Sequence, residues 1–529
     1  MTSKALMKYT GITDLDSIKV KVLKKTPLVD YTKESNKKLF KTAEGIDDPE
    51  LKAVIISKAE KPDVETIAIH SASIMRGLFE ELGYGICSVN GAFYIYNGVF
   101  WDSFSDLQMK HFITEFLKKT GVPKSKAENV IVVERLFKQF DYSLNVFVPK
   151  PAEKAAKLNA MNCTILIQPD GKILTKAHEK EDFFFNGLPY AYDLSGKAPR
   201  FKQFLDEVIP GDIQLVVQEF FGTCLVPSIK HEKVLVCVGS GANGKSVLFE
   251  TVSHVLGKSN VTSFNINTLC DEKSTTRILI KNKLLNYSSD FSGKIWGNGI
   301  FKQLASGEPV EARRLYNDSE IIDQYAKLAY NSNTMPDSSD TSEGFRRRLL
   351  IVEFRKVITK PDPLLAQKLK KEAPGILNWM IDGLIRFIQN GYKFSKSEML
   401  EETSKAFREE SDSVSIFIKA RGYKPDKKSN ARVADVYAEY KEFCDEKGMK
   451  NILSQIDFRM RLGGMGFEIS QSKKKPWMIG IGKETEKHEK PGNSPFDSPF
   501  QSYTSPSFGS AWTPPNEDNA EGDEGGDED

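Results

Sequence analysis

One stretch of the chain constrains it more than any other. Val234-Leu-Val-Cys-Val238 is an unbroken apolar run, and Gly239-Ser240-Gly241-Ala242-Asn243-Gly244-Lys245-Ser246 follows it directly. The run has the length and β-branched content of a strand buried on both faces. The residues after the loop, Val247 to Leu256, form a helix-compatible run. Glycines at 239, 241 and 244 let the backbone curl so that its N–H groups point inward at phosphate oxygens. A helix opening near Lys245 adds the positive end of its dipole. The Lys245 ammonium then reaches the β- and γ-phosphates, and the Ser246 hydroxyl is placed to bind Mg2+. Residues Gly239, Ser240, Gly241, Ala242, Asn243, Gly244, Lys245 and Ser246 are therefore read as a triphosphate-binding loop. No Asn-Lys-x-Asp guanine reader follows at the spacing a GTPase needs, and the loop by itself leaves kinase, transporter subunit and motor open.

Around this loop, from Ala198 to about Gly391, helical stretches alternate with apolar strands, the pattern of a sheet covered by helices. Three further segments bear on chemistry. Lys283-Leu-Leu-Asn-Tyr-Ser-Ser-Asp290 reads as a second buried strand ending in a carboxylate. Asp290 either completes the Mg2+ shell and polarises the attacking water, or caps a turn. Lys327-Leu-Ala-Tyr-Asn-Ser-Asn333 is a third apolar strand, and Asn333 ends it with an amide able to sense a γ-phosphate. Gly344-Phe-Arg-Arg-Arg-Leu-Leu-Ile-Val-Glu-Phe354 sets Arg347 and Arg348 directly before a buried strand. Such arginines make either a solvated basic turn or a group that stabilises charge on a neighbouring subunit's nucleotide, an effect worth about 10³ to 10⁵ in rate.

The flanks are less specific. Residues 1 to about 60 are lysine-rich with little periodicity and read as a loosely structured leader. Asp63 to Leu82 repeats apolar residues at helical spacing, and the Asn97-Gly98 pair suits a tight hairpin turn because both residues tolerate positive φ. Helical stretches near Asp106 to Lys119 and Lys124 to Phe140 lead to strand-rich Thr164 to Leu174, which reads as a mixed domain ending near Gly196. Val433 to Ile481 holds two short helical patterns and a β-like end, as in a small winged helix. Beyond about Lys483 the chain turns to Pro, Ser, Gly and acid, too polar to offset its ordering entropy. The net charge of +2 conceals eight acids and no base between Glu517 and Asp529; the rest carries 74 basic against 64 acidic residues, which suits a nucleic-acid partner. The six scattered cysteines form no C-x-x-C pair and are expected as reduced, mostly buried thiols, with no zinc site. No stretch approaches the ~20 apolar residues of a bilayer span, and the N-terminus lacks a secretory core, so no membrane association or secretion is expected.

Taken together, the Gly-Ala-Asn-Gly-Lys-Ser loop, the carboxylate-ended strand, the strand ending in Asn with x-x-Pro after it, and the Arg-Arg run before a strand ending in Phe appear in order. In this the chain resembles the superfamily 3 helicases, specifically the poxvirus-type and phage/plasmid primase–helicase branch. The resemblance spans about Asp63 to Tyr392 and includes Phe93-Tyr-Ile-Tyr-Asn-Gly-Val-Phe-Trp101, Pro199-Arg-Phe-Lys-Gln-Phe-Leu205, Phe301-Lys-Gln-Leu-Ala-Ser-Gly-Glu308 and Pro374-Gly-Ile-Leu-Asn-Trp379. It implies an α/β fold: a P-loop, AAA+-like ATPase core over 197–395, a mixed α+β domain over 61–196, a winged-helix-like domain over 405–483 and a disordered acidic tail over 484–529. It implies Lys245 and Ser246 as nucleotide and Mg2+ binders, Asp290 as the Walker B acid, Asn333 as the sensor, and Arg347 and Arg348 as the arginine-finger region. The segment from Phe301 to Tyr316 corresponds to the approach to a pore hairpin, with Lys302, Arg313 and Arg314 as its basic candidates. Where the branch usually carries Glu at the Walker B acid, this chain has Asp290 after Ser289.

What the resemblance implies is an ATP hydrolase that works as a homo-hexameric ring on single-stranded and forked DNA. Its expected partners are a separate primase, a polymerase or a single-strand-binding protein. Its setting is the cytoplasm of a bacterial host or a site of viral replication. Two other readings stay open: a bifunctional primase–helicase, though no paired metal-binding carboxylates of the h-h-D-h-D kind precede Pro210, and a nucleotide-gated DNA-binding initiator or scaffold. Lys473-Lys474-Lys475 before Trp477 either grips duplex or a fork or makes a solvated turn. The acidic tail, with Phe496, Phe500, Phe508 and Trp512 upstream, recruits a partner, competes with DNA for the basic surface, or solubilises.

Overall fold

The computed structural model describes residues 14–146, 148, 155–209, 211–289, 291, 298–315, 318–334, 343–449, 452–471 and 476–483. Asp290, Lys473 to Lys475 and the tail from 484 onward lie outside the described residues.

The described residues open with helices where a loose leader was expected. Helix α1 (Leu15–Lys25) is capped by Asp14, whose carboxylate accepts from the Ser17 backbone N–H at 2.8 Å, and it turns Ile18 and Val22 into a core. Shorter helices follow at Tyr31–Ser35, Lys37–Glu44 and Pro49–Ser57. The Tyr31 hydroxyl is bonded to Ser71 and Thr120, which ties this region to the helices beyond it. An apolar pair at i, i+4 is enough to dock one face of a short helix, although it leaves little periodic signal.

The pair Ile18 and Val22 joins one core with helix α2 (Val64–Glu81), the antiparallel strands β1 (Gly85–Val89), β2 (Ala92–Tyr96) and β3 (Trp101–Phe104), and helices α3 (Asp106–Lys119) and α4 (Val130–Leu144). The two-residue Asn-Gly hairpin turn lies at Asn90 and Gly91, both with positive φ, where Val89 faces Ala92. At Asn97-Gly98, by contrast, only the glycine has positive φ. There the Asn97 side-chain oxygen accepts from the N–H groups of Val99 and Phe100, each at 3.0 Å, and forms a longer polar turn.

Strands β4 (Ala156–Asn159), β5 (Thr164–Ile167) and β6 (Ile173–Lys176) make a second antiparallel sheet. Their Leu158, Ile165 and Ile167 share a core with helices α5 (Pro199–Val208) and α6 (Ile213–Cys224). The boundary expected near Gly196 therefore falls inside a shared core, and the first self-contained core closes near Leu144.

The main sheet is parallel throughout. It holds β7 (Val234–Val238), β8 (Val261–Thr262), β9 (Leu285–Ser288), β12 (Lys327–Ser332) and β13 (Leu349–Glu353), in the spatial order β13-β7-β12-β9-β8. Alternation along β7 sends Leu235 and Cys237 into the core with α6 and helix α7 (Lys245–Leu256), and Val234, Val236 and Val238 into the core on the opposite face. That two-sided burial is why the run carries no polar residue. Helix α8 (Gly299–Ser306) and the hairpin of β10 (Val310–Arg313) and β11 (Ser319–Ile322) sit between β9 and β12 in sequence, and helix α9 (Ala373–Gln389) closes the layer against α6.

The C-terminal unit has its own core, containing Val414, Phe417, Tyr440, Phe458 and Ile479. Helices α10 (Ser413–Ala420), α11 (Val433–Glu446) and α12 (Gln455–Gly464) pack with a three-stranded antiparallel sheet in the order β15 (Ala431–Arg432), β17 (Met478–Ile479), β16 (Ile469–Ser470), and β14 (Tyr423–Pro425) pairs with β18 (Ile481–Lys483). All six cysteines are free thiols and five of them are buried. Among the described residues no helix is long and apolar enough to cross a membrane.

Candidate functional site

Parallel strands put all their C-terminal ends on one edge, and the connections leaving that edge form a crevice where ligands bind. The glycine loop leaves β7 at this edge, beside β12 on one side and β13 on the other. The Gly239 N–H donates to the Ser332 carbonyl at 3.1 Å, and the Ala242 carbonyl accepts from Ile358 at 2.8 Å, so both ends of the loop are pinned. Gly244 has φ of 88°, and a Cβ there would lie 2.8 Å from Val208 and 3.1 Å from Phe204 of α5. Both its conformation and its clearance require glycine.

Lys245 opens α7 and is only 5% exposed. Its ammonium donates to the Gly239 carbonyl at 2.6 Å and to the Asn243 side-chain oxygen at 3.0 Å, and burial lowers its pKa. The Asn243 amide in turn reaches the Phe354 carbonyl. The loop thus holds a desolvated cation on two neutral acceptors, an arrangement ready to exchange them for phosphate oxygens of opposite charge.

Ser246, one residue along, is close enough to the hydroxyl of Tyr287 on β9 to lower that phenol's pKa. The Tyr287 ring lies flat on Phe249 of α7, with centroids 4.0 Å apart and planes within 8°. Asn331 of β12 donates to the same hydroxyl at 2.6 Å. Burial raises the Tyr287 pKa, which keeps the phenol protonated. Neither Tyr287 nor Asn331 stood out in the sequence. Both are interior residues of strands, and only the parallel pairing of β9 with β12 brings them beside Ser246.

The other sequence candidates are placed as follows. Asp290 lies outside the described residues, between exposed Ser289 and buried Phe291, whose ring packs on Tyr330 at 5.2 Å. Strand β12 ends at Ser332, and Asn333 follows it, exposed, on the same edge as the loop. Arg347 and Arg348 precede β13 and so stand at the opposite edge of the sheet from the loop that follows β7. A five-residue strand separates the two edges by roughly 15 Å. The pair also divides by orientation. Arg348 is 9% exposed and donates to Ser306 at 3.0 Å and to the Gly344 carbonyl at 2.5 Å, while the side chain of Arg347 is exposed.

Lys302 lies half-buried on α8, and exposed Arg313 and Arg314 stand at the end of the β10–β11 hairpin, where Arg313 faces Ser319. Arg314 lines a pocket with Asn90, Gly91 and Asp106 of the N-terminal domain and is close enough to Tyr94 to lower its pKa against the effect of burial. The structure therefore groups Arg313 and Arg314 on one hairpin, apart from the glycine loop. In the C-terminal unit, the Arg459 guanidinium lies 3.9 Å above the Trp477 ring.

Comparison with known proteins gives partial matches. Residues 72–210 match a family described as "D5 N terminal like", and residues 237–348 match a family of unknown function, DUF5906. The "Putative primase C962R" of African swine fever virus is 23% identical over 242 residues, covering 41% of this chain and 25% of the relative. The "Putative helicase L207/L206" of Acanthamoeba polyphaga mimivirus is 25% identical over 177 residues, 32% of this chain and 18% of that protein. The matched region thus spans a quarter or less of these relatives' length. The solved NrS-1 C terminal region aligns over 77% of this chain and 98% of that one at 12% identity, with a TM-score of 0.42. The chain is similar to viral proteins named for priming and unwinding.

Proposed function

We propose that this chain is an ATP-driven DNA helicase of a viral or phage replication system, working as a ring whose subunits complete one another's nucleotide sites. The observation that carries the reading is the placement of Lys245 and Ser246. A glycine loop at the C-terminal edge of a five-stranded parallel sheet presents a buried cation and a hydroxyl together, with the strand leading to Asp290 two places away in the sheet.

ATP would lie along the loop, its β- and γ-phosphates replacing the Gly239 and Asn243 acceptors of Lys245. Ser246 and Asp290 would hold Mg2+, which neutralises charge on the transferring phosphoryl group. Asn333, at the same edge, is the amide assigned to the γ-phosphate. Arg347 cannot serve its own subunit's loop from the far edge of the sheet, but an exposed guanidinium is available to a neighbour, which supports a ring. Arg348, drawn inward onto Ser306, is better suited to fix that turn. The β10–β11 hairpin, with Arg313 and Arg314, would grip the backbone of a single strand by charge without reading sequence. The order of helices and strands in the C-terminal unit supports a winged helix, with Trp477 beside the wing.

The test is ATP hydrolysis with and without single-stranded DNA, together with strand displacement on a forked duplex. DNA-stimulated hydrolysis and displacement are expected, and both are lost in Lys245→Ala. Displacement that persists in Lys245→Ala contradicts the reading. ATP binding without turnover favours an initiator or scaffold.

A further inference from the structure

We propose that Tyr287 and Asn331 are positioning residues that aim the lone pairs of the Ser246 hydroxyl at the magnesium ion of the bound nucleotide. This rests on the nucleotide site described above and assigns to it two residues outside the glycine loop.

A serine hydroxyl has one proton and two lone pairs, and it ligates a cation well only when its proton points away from the metal. An acceptor fixed behind the hydroxyl enforces that direction. Tyr287 supplies one: its ring is stacked on Phe249, three residues along the same helix as Ser246, and its oxygen is close enough to the Ser246 hydroxyl for that hydroxyl to lower the phenol's pKa. If Tyr287 accepts from Ser246, its own proton needs an acceptor. As placed, the amide nitrogen of Asn331 (5% exposed) donates to the Tyr287 hydroxyl at 2.6 Å, and its side-chain oxygen has no hydrogen-bond partner among the described residues. An amide presents either its oxygen or its nitrogen to a neighbour after a half-turn about its last torsion. With the oxygen turned to the phenol, 2.6 Å is an ordinary O–H···O separation. The donors then run in one direction, from Ser246 to Tyr287 to Asn331, and the serine lone pairs are left to the metal. The amide nitrogen, in its turn, becomes a free donor in the buried space beside the loop.

Fluorescently labelled ADP, titrated with Mg2+ and again in EDTA, tests this in the full chain. Tyr287→Phe keeps the ring stack and is expected to melt as the wild type does. It should weaken binding about tenfold in Mg2+, the size of one lost hydrogen bond, and leave binding in EDTA unchanged. In a Ser246→Ala background the same substitution should have no further effect, because the group it orients is gone. Asn331→Leu should reproduce the Mg2+-specific loss more weakly. Equal weakening in Mg2+ and EDTA, or wild-type binding of Mg·ADP by Tyr287→Phe, overturns the proposal and leaves the nucleotide site standing. A wild-type chain that binds no labelled ADP overturns both.

Discussion

At the residue scale three cations sit in different surroundings. Lys245 is buried on neutral oxygens that phosphate can replace, so Lys245→Ala should leave the fold intact and abolish hydrolysis, as read by phosphate release. Arg348 is built into its turn. Removing it leaves Ser306 and the Gly344 carbonyl without their donor, so Arg348→Ala should lower stability by about 1–3 kcal/mol, with activity falling in step. Arg347 has no such role for its side chain. Arg347→Ala should melt like the wild type and bind nucleotide normally, yet lose turnover by about 10³ or more. A thermal melt alongside the kinetics separates the two arginines, which sequence reading had treated as a pair.

At the scale of elements, β12 carries an unusual passenger. Lys327, at its N-terminal end, is buried and donates to the carbonyls of Pro227 and Ile229, and burial pulls its pKa down to about 8. An unfolded lysine keeps its proton to about pH 10.4. Between those values the unfolded chain binds the extra proton, so stability rises with pH across that window. Denaturant titrations from pH 7.5 to 10 should show wild type gaining stability relative to Lys327→Met. Helix α1 gives a second prediction: Ile18→Ala should cost about 2–5 kcal/mol in the first unfolding transition, which a loose leader would not show.

These elements also mark what the sequence disclosed. The apolar run 234–238 and its glycines announced strand, loop and helix together, because two-sided burial demands apolar residues and the positive φ of the loop at 241 and 244 demands glycine. Helix α1 stayed hidden because its five apolar residues are interleaved with four lysines and only Ile18 and Val22 are buried. The boundary near Gly196 was misplaced because a core is shared in space: β4 to β6 pack on α5 and α6, and no composition change records it. Tyr287 and Asn331 were invisible for a similar reason, since their meeting depends on strand order, which no local pattern encodes. The Asn90-Gly91 turn, with two residues between Val89 and Ala92, carried the stronger hairpin signal.

At the scale of the molecule, the sheet sets the loop and Arg347 on opposite edges, and the proposed ring would bring the two together across a subunit boundary. Arg314 lies against Asn90, Gly91 and Asp106 of the N-terminal domain, so the proposed DNA contact and the proposed hydrolysis would occupy separate surfaces. The most direct measurement mixes two inactive variants, Lys245→Ala and Arg347→Ala, across a range of ratios and follows ATP hydrolysis with single-stranded DNA present. Interfaces pairing an intact loop with an intact Arg347 form only in mixtures, so activity should rise from near zero to a maximum at intermediate ratios. A flat, inactive profile, with both proteins folded and able to assemble, would contradict hydrolysis across a subunit boundary.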